Sequence, residues 1–157
     1  MKTRKDILIE AIESEVETQN LYAMLAKAFN KAPSKQTFIN LIPLENMHEQ
    51  KIRQQFGKEF PDEKLTISPD KLPKLAIEER LEEPDQALKF AIAQEERAYY
   101  RYKHLAENSD DEDTKKLLLN LAEEESNHKD LLQDELNQLH GTMIWFDSSE
   151  LNGLFED

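Results

Sequence analysis

Residues 11–22 read AIESEVETQNLY and residues 91–102 read AIAQEERAYYRY. Residues 41–48 read LIPLENMH and residues 121–128 read LAEEESNH. Both pairs are related by the same offset of 80 residues, and no gap is needed. Leu8, Ala11, Ile12, Glu15, Tyr22, Leu25 and Ala26 correspond to Leu88, Ala91, Ile92, Glu95, Tyr102, Leu105 and Ala106. Lys35, Asn40, Leu41, Glu45 and His48 correspond to Lys115, Asn120, Leu121, Glu125 and His128. Unrelated helical segments share leucines and alanines by chance. They do not readily share both Glu-x-x-His pairs and both Glu…Tyr pairs. A helix hairpin duplicated into a pseudo-two-fold bundle is the simplest account.

Helical periodicity extends outward from these stretches. The first helix is expected over residues 3–29, with Leu8, Ala11, Ile12, Tyr22, Leu25, Ala26 and Phe29 on its apolar stripe. Ala32-Pro33-Ser34 interrupts it, and Ser34 is the expected N-cap of a second helix reaching residue 60. Phe38, Leu41, Ile52 and Phe56 form the second stripe, with Pro43 inside the helix as an expected kink or local change in hydrogen bonding. Residues 61–83 read as a long connection, with a short helix expected around residues 75–81. Pro84 suits the first turn of a third helix ending near Asn108. Acidic residues 110–113 suit the start of a fourth, since the helix dipole favours negative charge there. That helix is expected to stop at Gly141, leaving residues 1–140 as the bundle and 141–157 as a C-terminal extension with Trp145, Phe146 and Phe155. Loops that run short, long, short give an all-α four-helix bundle with one long crossover between helices 2 and 3.

Composition agrees. Only 3 Gly and 6 Pro occur in 157 residues, and 34% of residues are charged. The net charge of −13 excludes a nucleic-acid surface, which needs clustered Lys and Arg. The absence of Cys excludes disulfides, iron–sulfur clusters and thiol chemistry. No stretch approaches the roughly 20 apolar residues of a membrane span, and residues 1–10 lack a signal-peptide core. A cytoplasmic protein is the expectation.

Most of the abundant Glu must be solvated surface. Glu15, however, lies between Ile12 and Tyr22 on the apolar stripe, and Glu95 lies likewise between Ile92 and Tyr102. Glu45 and His48 interrupt the stripe of Phe38, Leu41 and Ile52, as Glu125 and His128 interrupt Leu118, Leu121 and Leu132. Residues three apart share a helix face, so each Glu-x-x-His can aim both side chains inward. Four buried carboxylates would repel strongly unless they take up protons or are compensated by cations. Two divalent cations balance four carboxylates, and two imidazoles complete the set. Such oxygen-rich ligation suits iron or manganese and is unlike a structural zinc site. Tyr22 and Tyr102 lie seven residues after Glu15 and Glu95. They are either hydrogen-bond donors to the site carboxylates or core tyrosines with a polar handle. His104 and His140 lack the pattern and read as surface residues.

The quoted motifs resemble those of the ferritin-like superfamily, most closely its rubrerythrin branch, over residues 7–140. The resemblance implies a ferritin-like bundle with a di-iron centre, and it assigns roles by position. Glu15 and Glu95 would be terminal ligands, one per metal. Glu45 and Glu125 would bridge the two, and His48 and His128 would each complete one. Rubrerythrins carry a further ligand carboxylate one turn after the third-helix Glu, where this chain has Ala98. The rubredoxin module is missing too, so electrons must come from another protein or from ferrous iron itself. The more symmetric site is similar to that of bacterioferritins.

The functional expectation is a peroxidase- or ferroxidase-type oxidoreductase acting on peroxide or dioxygen with two iron ions, manganese being the other candidate. The alternatives are iron binding or storage, oxidation of an unidentified organic substrate at the same centre, and a binding module with a structural metal. A homodimer or larger homo-oligomer is expected, with an unidentified electron donor and no nucleic-acid or membrane partner.

Overall fold

The computed structural model describes the backbone of residues 2–74 and 81–152, and the side chains among these up to Gly141. Among the described residues there are four helices and no strand: α1 (Arg4–Ala28), α2 (Ser34–Glu59), α3 (Pro84–Glu107) and α4 (Glu112–Asn152). Thr3 caps α1 through a capping box with Asp6, each side chain bonding the other's backbone N–H. Pro84 occupies the first turn of α3. Asp111 accepts from the backbone N–H of Thr114 at 2.9 Å and so caps the start of α4.

Two expectations change. Ser34 is not a cap, because Pro33 is already helical at φ −57°, ψ −32° and Ser34 lies inside the helix. Its buried hydroxyl has no hydrogen-bond partner. Gly141 does not stop α4, which runs on to Asn152. Glycine ends helices by adopting positive φ, and no described glycine does so. The backbone of residues 141–152 therefore continues α4. The helix expected over residues 75–81 falls almost wholly outside the described residues, as do the side chains of Trp145, Phe146 and Phe155.

A Cβ added at Gly141 would meet nothing within 4 Å. Gly141→Ala should therefore stabilise the fold by about 0.4–1 kcal/mol through the unfolded chain's lost freedom. For a chain of this size that is roughly 1–4 °C in Tm. A melting curve no higher than that of the parent would contradict it.

Hydrogen bonds fix the helix directions. Arg4, opening α1, bonds Glu59 at the end of α2 and, at 2.9 Å, the hydroxyl of Ser109 just after α3. Gln55 near the end of α2 donates to Thr114 near the start of α4 at 3.1 Å. The helices α1 and α2 thus form one antiparallel hairpin and α3 and α4 another, with α1 antiparallel to α3 and α2 to α4. The crossover runs along α1. Glu63 pairs with Lys5 at 2.9 Å, and Asn20 donates to the carbonyls of Pro69 at 2.8 Å and Lys71 at 2.9 Å.

The core divides into two apolar clusters. One contains Tyr22, Leu25, Ala26, Phe38, Leu41, Leu88, Ala91, Leu132 and Leu136. The other contains Tyr102, Leu105, Ala106, Leu118, Leu121, Leu8, Ala11, Ile52 and Phe56. In this order each residue of one cluster is the 80-residue repeat mate of its counterpart in the other. The duplication is thus a pseudo-two-fold that exchanges the two halves of the core. On every helix the residues of the two clusters are separated by Glu15, by Glu45 and His48, by Glu95, or by Glu125 and His128. A polar layer is sandwiched between two apolar ones.

Candidate metal centre

All six residues singled out by the repeat are buried, each at 5% exposure or less. Burial of this kind without compensation would cost several kcal/mol per ion, so their arrangement matters. Side-chain ligand atoms of Glu15, Glu45, His48 and Glu125 lie within 4.8 Å of one another. Those of Glu45, Glu95, Glu125 and His128 form a second such group. The two groups share Glu45 and Glu125, and each has its own Glu and its own His. Each group could hold a cation, and Glu45 and Glu125 would be common to both.

Both imidazoles turn Nδ1 to the carboxylates. His48 Nδ1 bonds Glu125 and lies 3.7 Å from Glu45 and 3.8 Å from Glu15. His128 Nδ1 lies 2.9 Å from Glu45, 3.8 Å from Glu95 and 4.0 Å from Glu125. The two rings are nearly parallel, 5.3 Å apart with 12° between their planes. Tyr22 donates its hydroxyl to Glu95, and Tyr102 donates to Glu15. Each tyrosine therefore reaches across to the other half of the repeat, which resolves the choice left open by the sequence in favour of a hydrogen-bonding role.

Electrostatics divides the four carboxyls into two kinds. Burial, then the charges of Glu95 and Glu15, push Glu45 well above the usual carboxylate range. Burial, then the charges of Glu15 and Glu95, do the same for Glu125. Burial also opposes ionisation of Glu15 and Glu95, but hydrogen bonds outweigh it. Glu45 and His48 hold Glu15 low, and Glu125 and His128 hold Glu95 at about 2. Burial lowers His48, but Glu15 and Glu124 raise it further, for a net upward shift. Burial and the nearby carboxylates keep both tyrosines protonated, as hydroxyl donors.

One oxygen of each terminal carboxyl, Glu15 Oε2 and Glu95 Oε2, is buried with no hydrogen-bond partner. Buried acceptors are rarely left so. These two belong one to each four-residue group, where a cation would satisfy them. Six oxygen-rich ligands with one nitrogen per ion fit iron or manganese better than softer metals. Ala98, three residues after Glu95, is buried in the apolar core. His104 is exposed and His140 half-buried, both away from the cluster.

The sequence reading passed over Glu124. Its carboxylate accepts from His48 Nε2 at 2.5 Å. Within residues 121–128 it looked like one more surface acid beside Glu125. The available signal was its mismatch with Leu44 across the repeat.

Two solved structures share this architecture. A hypothetical protein from Pyrococcus furiosus superposes with a TM-score of 0.76 at 24% identity, covering 88% of this chain and 91% of that one. An uncharacterized conserved protein from Magnetospirillum magnetotacticum MS-1 superposes with a TM-score of 0.65 at 26% identity, covering 87% of this chain and 95% of that one. No curated protein matches the chain. No described helix is long and apolar enough to cross a membrane. The rubrerythrin family model matches residues 6–136, and again residues 86–153. With the duplicated Glu-x-x-His hairpins buried around one carboxylate cluster, that match places the chain in the rubrerythrin family.

Proposed function

We propose that Glu15, Glu45, His48, Glu95, Glu125 and His128 hold two iron ions, and that the centre reduces peroxide or dioxygen as a peroxidase- or ferroxidase-type oxidoreductase. The observation that carries this reading is the pair of four-residue ligand groups sharing Glu45 and Glu125. When bound, a ferrous pair would supply the two electrons that reduce one peroxide to water. The chain's own residues provide the setting. Glu15 and Glu95 are held ionised by their hydrogen bonds and need no proton removed before they ligate. Glu45 and Glu125, held protonated without metal, give up their protons as the charge of the cations replaces them. Tyr22 and Tyr102 fix the orientation of the terminal carboxylates. The buried apolar clusters on either side shield the centre from bulk water. The ligand residues themselves supply no electrons, so a donor outside them or further ferrous iron completes the cycle.

The test is to load the protein anaerobically with two ferrous ions per chain, add peroxide or air, and follow ferric absorbance. Oxidation should outpace that of ferrous ion in buffer. An unchanged rate would remove the redox reading.

Tyr22→Phe deletes the hydroxyl bonded to Glu95 without opening a large cavity, and Tyr102→Phe does the same at Glu15. Loss of such an outer hydrogen bond typically costs about 10–100-fold in metal affinity or activity. Each variant should therefore weaken one of two ferrous or manganous binding steps by about that factor in calorimetric titration. Unchanged isotherms would reduce the tyrosines to packing.

A further inference from the structure

The six ligands obey the 80-residue repeat, yet the environment of the two histidines does not. His48 uses Nδ1 towards the carboxylates, which leaves Nε2 pointing away from the centre. There it meets Glu124 Oε2 at 2.5 Å. Glu124 sits on α4 and reaches across to α2, its side chain 45% exposed while His48 is 2% exposed. The residue that the repeat makes equivalent to Glu124 is Leu44 on α2. Leucine has no acceptor. Among the described residues, every polar contact of His128 is made through Nδ1, and none through Nε2.

We propose that Glu124 is a positioning residue for His48 and that it makes the two halves of the centre unequal. The half built on Glu15 and His48 binds its metal more tightly than the half built on Glu95 and His128. The inference rests on the two-metal reading above. A histidine that ligates through Nδ1 carries its proton on Nε2, and a carboxylate accepting that proton's hydrogen bond fixes the tautomer, holds the ring and strengthens the nitrogen as a donor. His48 has this support and His128 lacks it. Another mismatch across the repeat, Thr18 and Gln94 against Ala98 and Ser14, does not reach the ligands. Gln94 donates to Thr18 at 3.3 Å, and neither bonds a carboxylate of the centre. Of the hydrogen bonds between ligand side chains and other side chains, Tyr22–Glu95 matches Tyr102–Glu15 and His48–Glu125 matches His128–Glu45, while Glu124–His48 has no repeat mate.

The exchange Glu124→Leu and its converse Leu44→Glu test this directly, because each makes the two halves alike. Metal-free protein is titrated anaerobically with Co²⁺, whose visible absorbance reports each ligand set as it forms, and a melting curve of each metal-free variant verifies folding. The parent should take up two cobalt ions in steps separated by about 10–100-fold in affinity, the usual worth of such an outer partner. Glu124→Leu should weaken the tighter step by that factor and leave the weaker one, so that the steps merge. Glu124→Gln keeps an acceptor without the charge and should fall between. Leu44→Glu should strengthen the weaker step, and it carries the test alone if Glu124→Leu does not fold. Equal steps in the parent, or a Glu124→Leu variant with both steps unchanged or both equally weakened, would overturn the proposal. A parent that binds less than about one cobalt per chain would instead sink the two-metal reading on which it rests.

Discussion

The double variant Glu45→Gln, Glu125→Gln should lose both metals while keeping its fold. These two carboxyls belong to both four-residue ligand groups, so their replacement damages both positions at once. Gln retains the shape and one carbonyl oxygen but cannot carry the negative charge that offsets a cation. Metal content by elemental analysis should drop from two per chain to background. The affinity loss should exceed about 100-fold, the upper end of what losing an outer-shell partner does. Ferrous oxidation by peroxide should fall to the rate in buffer. Metal-free stability should hardly change in mild acid and should exceed the parent's towards neutrality, because the parent alone bears the growing cost of keeping these carboxyls protonated against burial and the charges of Glu15 and Glu95. An amide then replaces a neutral acid of nearly the same size. A variant that still binds two metals would show that bridging carboxylates are not what holds them.

Metal loading should raise Tm by roughly 10–20 °C, and the gain should grow with pH. A ligand at about 100 times its Kd adds about 2.7 kcal/mol per site, and each kcal/mol moves Tm by roughly 2–4 °C in a chain of this size. The pH dependence follows from the metal-free carboxyls. Glu45 and Glu125 have folded values raised above the usual 4.5. Their contribution to stability is complete below 4.5 and is lost as pH rises towards their folded values. His48, raised above 6.5, loses its contribution in the same direction. Glu15 and Glu95 act oppositely. Their contribution is present above 4.5 and lost as pH falls, for Glu95 towards about 2. Metal-free protein should therefore be most stable in mild acid and weaken towards neutrality. Loading expels the protons of Glu45, Glu125 and His48, so affinity rises by up to about tenfold per pH unit for each proton released. Parallel melts at about pH 5 and pH 8, with metal and with chelator, measure the gap. A gap that stays constant or narrows would contradict the assignment of which carboxyls hold protons.

Much of the centre was legible because helices turn sequence spacing into direction. Glu45 and His48, three apart, must share a face, and an apolar stripe on that face says which way it points. The helix starts at Thr3 and Pro84 were legible for a similar reason, since a capping side chain and a fixed proline φ both act locally. Ser34 and Gly141 failed where local preference was overruled. A serine caps only if the residue is outside the helix, and helical Pro33 put it inside. A glycine stops a helix only if it adopts positive φ, and Gly141 does not.

By itself the sequence determined the four helices, the two-fold repeat and the six residues turned towards a common interior, because periodicity within one helix is a local property. Periodicity could not decide which oxygen lacks a partner or which tyrosine serves which glutamate, and only the family resemblance pointed to Glu45 and Glu125 as the shared carboxyls. Tyr22 lies two turns from Glu15 but bonds Glu95, 73 residues away. Glu124 lies beside Glu125 but bonds His48 on another helix. These pairings depend on how far apart two helices pack and at what rotation, and that is set only when both apolar clusters close.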